Sequence, residues 1–92
     1  MDISPVKYER HLFVCVNEKP GQCCGPAGGQ EILDVLRAHV NARGLFHRFN
    51  VSKVSCFGHC LAGPTVAVYP EGVILTHVSP RDTEDIIRRF LR

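Results

Sequence analysis

At 92 residues, with 45% hydrophobic and 22% charged content, the chain fits one compact domain spanning 1–92 and leaves no room for a second. The longest early apolar run, Leu12-Phe13-Val14-Cys15-Val16, is too short for a membrane span or a signal h-region, and a formal charge of +2 without consecutive basic residues argues against nucleic-acid binding. Five cysteines without a secretory segment fit a reducing, cytoplasmic setting, where metal or redox chemistry is a better use of thiols than a disulfide framework.

Residues 8–16 combine β-branched and aromatic side chains and run into Asn17-Glu18-Lys19-Pro20-Gly21, a strand followed by turn formers, with Cys15 at the strand's end. A glycine-rich loop, 21–29, carries Cys23 and Cys24. Ile32, Leu36 and Val40 then recur every fourth residue beside Leu33, and Gly44 is a stop signal, so the spacing predicts a helix over 29–43. Residues 46–54 read as a half-buried strand ending just before Cys56. A second glycine-rich loop, 57–64, holds Cys60 and precedes a continuous apolar strand over 65–69. Pro70-Glu71-Gly72 supplies turn chemistry and 73–78 returns as a strand. Ser79 is placed as an N-cap with Pro80 at the first helical position, and the last helix has Asp82, Glu84 and Asp85 early, Arg88, Arg89 and Arg92 late, and Ile86, Ile87, Phe90 and Leu91 as its apolar face. The order is βαβ followed by ββα: an α/β (α+β) thioredoxin-like chain with a mixed four-stranded sheet and two main helices. The few aromatics stand in apolar or turn contexts that predict core positions rather than an RNA-stacking face.

In that topology the ends of the first two strands lie at one edge of the sheet, so the cysteines of both loops can converge. Cys15 and Cys24 are separated by eight residues, Cys24 and Cys56 by thirty-one, and Cys56 and Cys60 by Phe57, Gly58 and His59. Four thiolates, two per iron, are what a [2Fe–2S] cluster needs, and glycines in both loops can turn backbone N–H groups toward sulfur. The same four cysteines also describe a structural zinc site with four cysteine ligands or a thioredoxin-fold interaction module, although zinc ribbons favour two or so residues between paired ligands. A thiol oxidoreductase is disfavoured, because three residues rather than two separate Cys56 from Cys60.

The segments His11-Leu12-Phe13-Val14-Cys15-Val16-Asn17, Cys24-Gly25-Pro26-Ala27-Gly28 and Cys56-Phe57-Gly58-His59-Cys60-Leu61-Ala62-Gly63-Pro64, with the hairpin Val66 to Val73 after them, resemble the thioredoxin-like [2Fe–2S] ferredoxins. The resemblance covers nearly the whole chain. It implies a one-electron carrier with a low-potential cluster ligated by Cys15, Cys24, Cys56 and Cys60, without catalysis of its own. Many members have about four more residues between the first two ligands, and register counted back from Glu31 and Ile32 selects Cys24 over Cys23. The resemblance further implies a homodimer, and redox partner proteins of the reductase, dehydrogenase or hydrogenase type. Cys15 and Cys24 are expected on one iron, Cys56 and Cys60 on the other.

Cys23 reads as a small neighbour of the ligand loop, and His59 as a loop residue beside a site that four cysteines already fill. His11, His39, His47 and His77 share no spacing and read as surface or core-edge side chains. Tyr69 and Phe57 read as packing residues, and the arginines of the last helix as a solvated face that could also dock a partner.

Overall fold

The computed structural model describes residues 1–16, 28–55 and 63–92. Its organising element is the strand β1, Arg10–Cys15, which lies inside a four-stranded sheet ordered β2-β1-β3-β4. β2 spans Phe49–Val54, β3 Val66–Tyr69 and β4 Val73–Leu75. β1 pairs in parallel with β2, Leu12 opposite Val51, and antiparallel with β3, Leu12 opposite Val68; β3 and β4 form an antiparallel hairpin. The mixed sheet and the βαβ-then-ββα order are therefore those expected from the sequence.

Strand side chains alternate between faces. Leu12 and Val14 of β1, Phe49 and Val51 of β2, and Val66 and Val68 of β3 project to the same side, and all are buried. The helix α1, Gln30–Ala42, lays Ile32, Leu33, Leu36 and Val40 on this side, and α2, Thr83–Phe90, adds Ile86, with Leu91 just beyond its end. One hydrophobic core thus lies between one sheet face and two helices that touch each other. The four α1 residues named from periodicity are those the helix buries.

Several boundaries differ from the sequence reading. β2 starts at Phe49 rather than 46, because the chain first closes a turn in which the Arg48 and Phe49 N–H groups both donate to the Leu45 carbonyl, leaving Phe46 63% exposed. β1 starts at Arg10 rather than 8, although Glu9 N–H still bonds the Arg48 carbonyl. β4 stops at Leu75 instead of running to 78: His77 adopts a positive φ of 52°, which ends extended pairing, and Val78 N–H turns back to the Pro64 carbonyl. The last helix opens with a 3₁₀ turn, Pro80–Asp82, whose N-cap is Ser79 as expected; the Ser79 N–H donates to the Asp82 carboxylate at 2.8 Å. The α2 segment ends at Phe90, with Leu91 fully buried past it.

Arg10 fastens the start of β1 to two other elements. Its guanidinium meets the Glu71 carboxylate of the β3–β4 turn at 2.6 Å and the Phe90 carbonyl at the end of α2 at 3.2 Å. The hydrogen bond from Arg10 holds the Glu71 carboxyl below its usual pKa.

Replacing Leu36, which is fully buried, with alanine should cost about 2–5 kcal/mol through lost burial and the cavity left behind. Val35→Ala, one position away on the exposed side of the same helix, should change stability by less than about 1 kcal/mol. Denaturant unfolding of both variants beside the parent checks the pair.

Candidate metal centre

Cys15 is the last residue of β1 and is 1% exposed. It is held on both sides: its N–H donates to the Thr65 carbonyl at 3.1 Å, and the Val16 N–H donates to the Val54 carbonyl at 3.0 Å. The thiol lies 3.7 Å from the Ser55 carbonyl oxygen. Ser55 and Thr65 flank the second cysteine loop on either side, so β1 delivers its cysteine between that loop's two stems.

The first loop is anchored at the same place. Residues 17–27 leave after Val16 and rejoin at Gly28, whose φ is +111°; a Cβ added there would come within 3.1 Å of the Pro80 ring. Residues 56–62 leave after Ser55 and rejoin at Gly63, where the Gly63–Pro64 peptide is cis. Four contacts then link all the stems: Val16 to Val54, Cys15 to Thr65, Pro64 to Val78, and Gly28 to Pro80 two residues further on. Parallel pairing of β1 with β2 is what puts the two exits at one end of the sheet.

Of the site residues read from the sequence, the structure places Cys15; Cys24, Cys56 and Cys60 lie outside the described residues, as do Cys23, Phe57 and His59. Among the described residues no group of three or more His, Cys, Asp or Glu side chains converges, and no helix is long and apolar enough to cross a membrane.

The sheet face opposite the helices carries side chains that motif reading passes over. His11, Phe13 and Cys15 alternate onto it from β1. His11 stacks on Phe13 with centroids 4.1 Å apart, Phe13 meets Tyr69 edge to face at 5.8 Å, and Tyr8 meets His11 at 5.7 Å. The His11 ring nitrogen lies 2.7 Å from the Ser52 hydroxyl on β2. Tyr69 is half exposed and Phe46 more so, which corrects the expectation that the aromatics are core residues. Period-two reading of β1 is the available signal, since it sets His11 and Phe13 on the face of Cys15. His39 is a core-edge residue as expected, its ring nitrogen 3.1 Å from the Leu91 carbonyl.

No family model matches the sequence. It is 35% identical over 90 residues to a 2Fe-2S ferredoxin of Clostridium pasteurianum, covering 94% of this chain and 88% of that one. A 2Fe-2S ferredoxin of Aquifex aeolicus is 30% identical over 88 residues, covering 90% and 79%. The solved structure of the thioredoxin-like [2Fe–2S] ferredoxin from A. aeolicus superposes with a TM-score of 0.83 at 30% identity, over 91% of this chain and 86% of that one. The chain belongs to the thioredoxin-like [2Fe–2S] ferredoxin family. In this ferredoxin the sheet end gathered around Cys15 is accordingly the place where the two cysteine loops start and finish.

Two outcomes follow from this geometry. Partial burial lowers the pKa of His11 from its ordinary 6.5, so the folded protein favours the neutral ring. The unfolded chain then binds more protons just below pH 6.5, and the stability contributed by His11 is present above that pH and lost as pH falls toward the folded-state value. Melting curves taken from about pH 7.5 down to about pH 6 should therefore fall less steeply for His11→Gln than for the parent. Gly28→Ala should cost about 1–3 kcal/mol, because alanine disfavours a φ of +111° and its methyl group would press on Pro80; thermal unfolding of that variant is the check.

Proposed function

We propose that the chain shuttles single electrons between redox enzymes on a [2Fe–2S] cluster held by the thiolates of Cys15, Cys24, Cys56 and Cys60. The observation that carries this reading is the joining of both cysteine-loop stems around the buried thiol of Cys15. With no other ligand group among the described residues, a centre built on Cys15 draws its remaining donors from 17–27 and 56–62, which hold the other four cysteines. An all-thiolate donor set suits iron–sulfur and zinc equally by softness; relatives at 30–35% identity that are 2Fe-2S ferredoxins favour iron.

When bound, the cluster supplies reversible one-electron chemistry with a potential on the order of −400 mV. The chain's own part is to hold and shield it. Cys15 loses its thiol proton on ligation, and its burial keeps water from the sulfur. The two backbone bonds at Cys15 and Val16 fix the main chain from which the sulfur would reach the cluster. Cys15 and Cys24 would hold one iron, and Cys56 and Cys60 the other. No substrate is transformed; the partners are a reductase, dehydrogenase or hydrogenase-type enzyme, and the setting is the cytoplasm. A homodimer is supported by the sheet face away from the helices, where Tyr69 and Ile74 are 51% and 41% exposed beside Phe13.

The test compares Cys23→Ser with Cys24→Ser by visible absorption and by iron and acid-labile sulfide content. Cys23→Ser should keep the coloured cluster at about two irons and two sulfides per chain, and Cys24→Ser should lose it or shift its spectrum. A colourless, redox-silent parent holding one zinc would establish the structural alternative instead.

A further inference from the structure

At the end of the molecule away from Cys15, the C-terminal ends of the two helices enclose an open groove of about 950 Å³. Its floor is apolar: Leu45 and Ile87 are half-buried and Leu91 is fully buried. Its rim is cationic, with Arg43, Arg88 and Arg92 all exposed and Glu84 the one carboxylate among the lining side chains. Asp85 pairs with Arg88 of this rim and also with Arg89, so one carboxylate is divided between two guanidiniums and offsets only part of the Arg88 charge, while Arg43 and Arg92 keep theirs. At the end of α2 the Phe90 and Leu91 carbonyls already have donors, Arg10 and the His39 ring, and so do not draw on the rim arginines. The same His39 contact ties α1 to the end of α2 across the groove.

An apolar floor between two helices, flanked by guanidinium groups, is complementary to a helix with a leucine-like stripe and carboxylates on either side. We infer that this groove docks an acidic amphipathic helix of a protein partner. α1 begins beside the loop stem at Gly28 and runs about 20 Å before its last turn reaches the groove, so the docked segment is a tether rather than the point of electron exit. Held there, a redox partner keeps its acceptor at high effective concentration near the Cys15 end without competing for that surface. What the tethered partner does rests on the electron-carrier reading; the groove's binding chemistry does not.

The experiment titrates a synthetic peptide of about 14 residues, roughly four turns of helix with leucine every third or fourth position and glutamate elsewhere, into the cluster-loaded full chain. Amide chemical shifts should move, saturably, at Leu45, Ile87 and Leu91, and added salt should weaken binding. The double variant Arg43→Glu/Arg88→Glu should bind about tenfold or more weakly with its visible spectrum unchanged, and should prefer the matching lysine peptide. Should that variant fail to load its cluster, Arg43→Gln/Arg88→Gln serves, with a smaller loss expected. Equal binding of a scrambled peptide of the same composition, unaltered affinity in the charge variants, or engagement of these residues by phosphatidylserine vesicles and not by the peptide would overturn the inference. A colourless parent that still binds the peptide would count against the electron-carrier reading alone.

Discussion

The double pairing of β1 is the constraint on which the rest of the structure depends. A strand with neighbours on both sides spends all its backbone hydrogen bonds on the ladder, and its last residue inherits a position set by two other strands. Here the last residue is Cys15, locked between Val54 and Thr65 by the bonds made at its own N–H and that of Val16. Because the β2 partner is parallel, a helix must carry the chain back along the sheet, and α1 does so over the face that presents Leu12, Val14, Phe49 and Val51 to it. The parallel crossover places the exits of β1 and β2 at one end, so the loops following each strand, which hold the other cysteines, begin side by side.

The same arrangement separates the molecule into two ends with different chemistry. At one, a buried thiol lies between the stems of the two cysteine loops. At the other, both helices finish among arginines above an apolar floor. The charge that α2 collects in its last turn suits its own dipole, the carbonyls at its end are occupied by Arg10 and His39, and Arg88 and Arg89 share Asp85 while Arg43 and Arg92 stay exposed. An electron carrier benefits from such a division, since a partner can be selected at one surface and exchange electrons at another.

Periodicity makes much of the fold legible. The fourfold recurrence of Ile32, Leu36 and Val40 locates α1 and its buried face, and Ser79-Pro80 locates the start of the last helical segment, because these signals depend on neighbours within a turn or two. Phe46 shows where that logic stops: its alternation with later apolar residues looks strand-like, yet the hydrogen bonds returning to Leu45 close a turn first. His77 shows the same at the other hairpin, where a positive φ cuts β4 short although Val78 continues the apolar pattern into the core. Tyr69 reads as packing because its neighbours are apolar, and it does meet Phe13 edge to face, but with both helices on the other side of the sheet it stays half exposed.

By itself the sequence determined the chemistry available to this protein: soft sulfur donors in two glycine-rich loops, with strands and helices whose periods are written in local spacing. It also carried the family likeness, which resides in the cysteine segments. Tertiary structure decided what those segments are near. The convergence of the loop stems on Cys15 follows from one parallel and one antiparallel pairing between distant parts of the chain, and no local pattern encodes both. The Arg-rimmed groove likewise exists only because α1 and α2 end together, an encounter between residues far apart in sequence that depends on the shared core beneath them.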